Sequence, residues 1–461
     1  MSMRYLAGYI SASYNPLYVP NAPTIGVATP GNAQVSVTFT APTNVGGGAI
    51  TSYTVLVTDS SSGVTFSASG ASSPIVVTGL TNGNTYTAKV FATNAYGPSA
   101  FSVSSGSFNY VPKLFSWGAN AQGSLGLNDI ANRSSPVQVG TLTTWLNISA
   151  GGYTSLATKT DGTLWAWGYN VNGQLGRNDT VNRSSPVQVG VLTTWSKVSS
   201  GILFNLATKA DGTLWSWGYN TLGELGQNDV ISRSSPVQVG LLTTWSNVSV
   251  GRYSCLATKT DGTLWAWGYN SNGQLGQNDV TTNRSSPVQV GLLTTWLKIS
   301  VGWYACLATK TDGTLWAWGL NQSGQLGQNN SIDRSSPVQI GALTTWSNIS
   351  VGLYSCLATK TDGTLWAWGN NNRGQLGQND ILWRSSPVQV GALTTWLNTS
   401  VGYSGCLATK TDGTLWSWGL NDQGQLGDNT IINRSSPIQV GALTTWSNIS
   451  GGWYTRLATQ L

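Results

Sequence analysis

The side chains that could do chemistry in this sequence are few, and most recur at fixed intervals. Asp161, Asp211, Asp261, Asp312, Asp362 and Asp412 each precede a glycine in a repeated "TDG" or "ADG". A carboxylate can act as a general acid or base, but it needs a partner of matched proton affinity. The chain has no histidine and a single glutamate, Glu224, which removes the commonest general base and the usual nucleophile triads. Aspartate before glycine is instead hairpin-turn chemistry. The repeated "GQLGQND" is glycine-rich but lacks the Lys-Ser/Thr ending and strand-to-helix setting of a phosphate loop. Cys255, Cys306, Cys356 and Cys406 share one slot of four successive repeats, where Ser155, Asn205 and Arg456 stand elsewhere. No disulfide or metal site depends on that slot, and the cysteines read as small buried hydrophobes. The expectation is a non-enzymatic chain with no metal and no cofactor.

Recognition chemistry is better supplied. Of 23 tryptophans, twenty fall in three shared slots ("WG", "TTW" and the first Trp of "LWAW" or "LWSW") and read as packing. Trp303, Trp383 and Trp453 are left over. Before each "LAT" two positions vary, and they carry Tyr153, Arg252, Tyr253, Trp303, Tyr304, Tyr354, Tyr403, Trp453 and Tyr454, with Phe204 beside them; Trp383 stands in a second variable loop, between "GQLG" and "RSSP". Aromatic residues around an arginine are what a binding hot spot is made of. The same tyrosines could instead plug a central channel as packing, and the sequence leaves both readings open.

These residues are positioned by one unit written seven times. "WG" recurs at Trp117, Trp167, Trp217, Trp267, Trp318, Trp368 and Trp418, at intervals of 50 or 51 residues. Each unit holds four short β-runs ("LATK", "TLWAWG", "PVQV" and the stretch after "TTW"), which make a propeller blade. The first unit begins at Lys113 without its "LATKTDG" strand, and the chain ends in "GGWYTRLATQL" without a following "WG". Pairing the last strand with Leu114 to Trp117 closes a seven-bladed ring and removes both sheet edges. Alternating strand direction then places the two variable loops on one face, and the "TDG" and "GALTT" turns, read as invariant, on the other.

Composition agrees with an all-β chain: 461 residues, 56 Gly and only 8% charged residues, too few helix formers for long helices. The net charge of +6 is spread through the repeats, mostly as the Arg of "RSSP" and the Lys of "ATK", so no nucleic-acid groove is expected. No run approaches a membrane span, and Met1 to Pro20 does not read as a signal peptide. Residues 1–20 read either as a disordered leader or as an extended arm that anchors on a neighbouring subunit through Arg4, Tyr5, Tyr9, Tyr14 and Tyr18. Residues 21–112 alternate in about seven short β-runs, the last being "FSVSSGSF", and indicate a sandwich.

Two resemblances follow from these motifs. Residues 21–112 resemble the fibronectin type III family, with Leu80 and Tyr86 in its leucine-to-tyrosine spacing and Phe39 where it commonly has Trp. Residues 113–461, through "LA-x-K-x-DG-x-LWAWG-x-N-x-x-GQLG", resemble the repeats of the regulator of chromosome condensation family. They lack that family's usual His two residues before the Leu, carrying Thr154, Phe204, Ser254, Ala305, Ser355, Gly405 and Thr455 there. The combination of arm, sandwich and propeller resembles bacteriophage structural proteins. That resemblance implies a virion-surface display protein, multimeric in the particle, whose arm binds other virion proteins and whose propeller face binds a host-surface glycan or protein. The alternative is a secreted or surface-bound bacterial protein-binding propeller; a nucleotide-exchange or chromatin factor ranks lower.

Overall fold

The computed structural model describes residues 17–31 and 33–460, in two compact units that divide between Val111 and Pro112. In the first unit, strands β1 (Thr24–Gly31), β2 (Gln34–Thr40), β3 (Ile50–Asp59), β4 (Thr65–Gly70), β5 (Ile75–Thr78), β6 (Tyr86–Asn94) and β7 (Gly97–Pro98) form two sheets, β1-β2-β5 and β4-β3-β6-β7. Alternation decides what they bury: Tyr53, Val55 and Val57 of β3 point inward with Val35, Val37, Val77 and Val90. The Tyr86 hydroxyl accepts from the Thr81 amide at 2.8 Å, which makes the corner that the Leu80 to Tyr86 spacing predicts. Phe39 keeps the core filled by packing on Tyr53, with ring centroids 4.7 Å apart.

Two expectations for this unit are corrected. "FSVSSGSF" is not a regular strand. Ser99, Ser102 and Ser105 pair with β6 every third residue: each serine amide donates to the carbonyl of Ala92, Val90 or Ala88, and each hydroxyl accepts from the same residue's amide. A period of three is that of an extended polyproline-like chain, so serine hydroxyls take over the ladder contacts. Tyr18, counted with the arm, belongs to the sandwich: its amide donates to Gly46, its carbonyl accepts from Asn94 and its hydroxyl from Asn44. Arg4, Tyr5, Tyr9 and Tyr14 lie outside the described residues.

The second unit begins with β8 (Lys113–Gly118) and β9 (Arg133–Thr143), followed by β10 (Trp145–Ala150), β11 (Thr154–Lys159), β12 (Leu164–Gly168) and β13 (Arg183–Gln188). The order β10-β11-β12-β13 is one antiparallel blade, and it recurs five times over residues 195–439. The seventh blade is β34 (Trp446–Gly451), β35 (Thr455–Gln460), β8 and β9. β35 pairs with β8 from Thr455↔Gly118 to Gln460↔Lys113. Ring closure therefore joins two strands from each end of the propeller. The sequence unit is out of phase with the blade: the "TTW" strand opens each blade as its innermost strand and pairs with the following "LATK".

The shared tryptophans bind blade to blade. Each "WG" indole is fully buried and donates to a carbonyl of the preceding blade: Trp167 to Ser124 at 2.9 Å, Trp318 to Gln274 at 2.9 Å, and across the closure Trp117 to Gln425 at 3.1 Å. The "TTW" ring meets the first Trp of "LWAW" edge to face, as Trp245 meets Trp265 at 6.0 Å. The Lys of "ATK" lies over that second ring, Lys259 Nζ being 3.5 Å from the Trp265 centroid. This lysine caps an indole first of all. Around the axis the inner strands approach so closely that a Cβ on Gly251 would stand 2.0 Å from the Gly302 carbonyl oxygen, so only glycine fits there.

Candidate functional site

The six "TDG" aspartates are turn-builders. The Thr263 hydroxyl and amide both donate to Asp261, holding its carboxyl below the usual range. The same bonds recur at the Thr163 and Thr414 turns. No group of three or more metal-ligating side chains occurs among the described residues. The four cysteines are fully buried thiols, and burial pushes their pKa values up, that of Cys406 to about 12. Arg456, in their slot, fits because Gly405 of the neighbouring blade has no side chain: a Cβ there would lie 2.3 Å from Nη2.

The variable residues before "LAT" come together at one end of the central channel. Trp303 packs on Trp453 at 5.1 Å and on Tyr403 at 5.4 Å. Trp453 in turn stacks on Tyr454 at 5.6 Å and meets Tyr153 at 5.2 Å. Arg252 lies over Trp303, 4.4 Å from its centroid, and over Tyr253 at 4.7 Å, and donates to the Tyr304 hydroxyl at 2.7 Å. These rings are half-buried. The cluster caps the channel and still offers the outer surface of its half-buried rings. Burial, followed by neighbouring tyrosines, raises the pKa of Tyr454.

Two of the expected site residues, Phe204 and Trp383, lie apart from this cluster, and a third, Tyr354, stands at its edge. Phe204 is fully buried in a blade core with Leu206, Leu214 and Trp267, so it is not a contact residue. The reason is register: Phe204 is the first residue of its "LAT" strand and pairs with Gly218, facing into the sheet stack. Tyr354 is half-buried and near enough to Tyr304 to perturb its hydroxyl. Trp383 stands on the rim, 49% exposed, and donates to Asn372.

The rim loop itself is mostly scaffold. Asn170 accepts from the Leu175 amide and donates to Asp179, and Asp179 is 2.9 Å from Arg183. Six such Arg-Asp pairs account for six of the "RSSP" arginines. Only the loop tips are free, and sequence reasoning missed what they carry. Ile130, Val181, Ile231, Ile332, Leu382 and Ile431 are all exposed, Ile431 by 68%. The signal was present, since branched apolar residues recur two or three positions before "RSSP" in these units. On the opposite face the "GALTT" turn is not invariant: three adjacent units place Val191, Leu241 and Leu292 there, 87% to 92% exposed.

The sequence profile described as Regulator of chromosome condensation (RCC1) repeat matches seven times, over residues 113–158, 161–207, 211–258, 261–309, 312–359, 362–409 and 412–458. The fibronectin type III domain profile matches residues 21–105. No curated protein matches the sequence. Among solved structures, human WBSCR16 is similar at 20% identity with a TM-score of 0.69, covering 76% of this chain and 98% of that one. Prp20p from Saccharomyces cerevisiae, described with its binding properties to Gsp1p and histones, is similar at 20% identity and a TM-score of 0.68, covering 76% of this chain and 92% of that one.

Proposed function

The chain belongs to the regulator of chromosome condensation repeat family, and from that premise we propose that it is a non-enzymatic recognition protein whose aromatic-capped propeller face binds a partner. The observation that carries this reading is the cluster of Arg252, Trp303, Tyr403, Trp453 and Tyr454 on the axis, ringed by exposed aliphatic loop tips. Aromatic anchors around an arginine, with exposed apolar side chains on the surrounding loops, are the composition of an interaction site. The setting we propose is the surface of a virus particle, with the segment preceding Tyr18 as anchor and a host-surface glycan or protein as ligand. That setting rests on the domain combination alone. A histone-type partner, as in the Prp20p description, is less well supported. Such a partner is basic, this chain carries +6, and the aspartates of its loops and turns are engaged locally.

The test uses the full chain against a glycan array and a panel of intact bacterial cells. Trp303→Ala with Trp453→Ala is expected to abolish retention while circular dichroism stays native. Val191→Ser with Leu241→Ser, on the opposite face, is expected to leave it unchanged. Retention lost only in the second pair would overturn the assignment of the face.

A further inference from the structure

At the end of the channel away from the aromatic cap, the inner strands surround a cavity of about 450 Å³. Two rings of side chains line it. One is valine or isoleucine in six blades and Thr399 in the other; the second is asparagine in five blades and lysine in two, at Lys197 and Lys298. The asparagines are used within the ring, as Asn348 donates to the Leu397 carbonyl and Asn448 to the Leu146 carbonyl. The lysines are only partly used. Lys197 donates to Asn247 Oδ1 and Lys298 to Asn348 Oδ1, and an ammonium has three N–H donors.

Charge is unbalanced here. Among the described residues no carboxylate lines the cavity, and desolvation depresses the proton affinity of both lysines. The "TDG" aspartates, on the turns that follow the "LATK" strands, are each bonded to their own threonine and face the lysine beside them, as Asp261 faces Lys259. Counting blades from β10, Lys197 is in the second and Lys298 in the fourth, so two ammonium groups stand on one ring of the cavity with a single blade between them. Two uncompensated ammonium groups favour a ligand that carries two negative charges on several acceptor oxygens over a singly charged carboxylate.

We propose that this cavity binds a doubly charged tetrahedral oxyanion, free or carried as a monoester, held near the propeller axis by Lys197 and Lys298. The site is independent of the aromatic face. Five blades already carry asparagine at the lysine position, so Lys197→Asn with Lys298→Asn restores the repeat's own residue.

The experiment titrates the full chain with inorganic phosphate, inorganic sulfate, glucose 6-phosphate and acetate at constant ionic strength, by calorimetry and thermal shift. Saturable binding of phosphate or sulfate is expected, at least tenfold weaker in the lysine double variant and unaltered in Lys89→Ala on the sandwich. Tighter binding of glucose 6-phosphate assigns the site to an esterified anion entering by the mouth; tighter binding of the inorganic ions assigns it to a free one. Absence of saturable binding, equal binding by the double variant, or acetate binding as well as phosphate overturns the proposal.

Discussion

The main-chain amide of Ala150 donates to the hydroxyl of Ser450 at 2.9 Å, joining the first inner strand of the propeller to the last. It is one bond of a complete circle. Ser200 bonds Ser149, Val250 bonds Ser199, Val301 bonds Ser249, and so on through Val351, Val401 and Gly451. Each blade thus satisfies an edge amide of the next with a serine that every unit shares, midway between the aromatic cap and the cavity with its lysines.

Ser450→Ala is expected to lower unfolding stability by about 1 to 3 kcal/mol, since it leaves the Ala150 amide unpaired in a buried setting. Ser300→Ala, inside the ring, should cost the same within error. Urea unfolding of both variants checks this; a much larger loss for Ser450→Ala would mean that the closure is the weak seam.

Glu224 occupies a slot held by Gln in five other blades, is fully buried, and has one carboxyl oxygen without a partner. Burial raises its pKa from 4.5 to about 7. The folded chain therefore holds a proton that the unfolded chain loses, so stability is highest below pH 4.5 with respect to this group and declines as pH rises toward 7. Glu224→Gln should remove that decline and exceed the parent protein by about 3 kcal/mol above pH 7, with no difference at pH 4. Chemical denaturation at the two pH values is the measurement.

Lys360 lies 3.6 Å from the Trp366 centroid, whereas the seventh blade has Gln460 and Phe115 in the corresponding slots. A double-mutant cycle of Lys360→Gln and Trp366→Phe is expected to give a coupling of about 0.5 to 2 kcal/mol. Additive losses would show that the ammonium rests on the ring without stabilising it.

Ile431→Ser with Ile432→Ser should change stability by less than about 0.5 kcal/mol, as both side chains stand in water. Retention on a hydrophobic-interaction column should fall. Unfolding at a clearly lower urea concentration would instead make these tips part of the blade.

How much of this was legible beforehand follows from what repetition can and cannot encode. Seven "WG" marks and the complementary ends of the repeat region specify four-stranded blades closed into a ring, because unpaired edges and unburied indoles leave no other economical arrangement. The Leu80 to Tyr86 spacing likewise specifies the sandwich corner. Phase was not specified: a repeat has no intrinsic first residue, and only hydrogen bonding shows that "TTW" starts a blade. Phe204 was misassigned because neighbouring positions in a strand face opposite ways, and the variable stretch alone does not say where the strand begins. Trp303 and Trp453 are 150 residues apart in the chain, and Lys197 and Lys298 are far apart too. Their types were readable, but their convergence on the axis came only from closing the ring, since closure carries equivalent slots of distant repeats to a common centre.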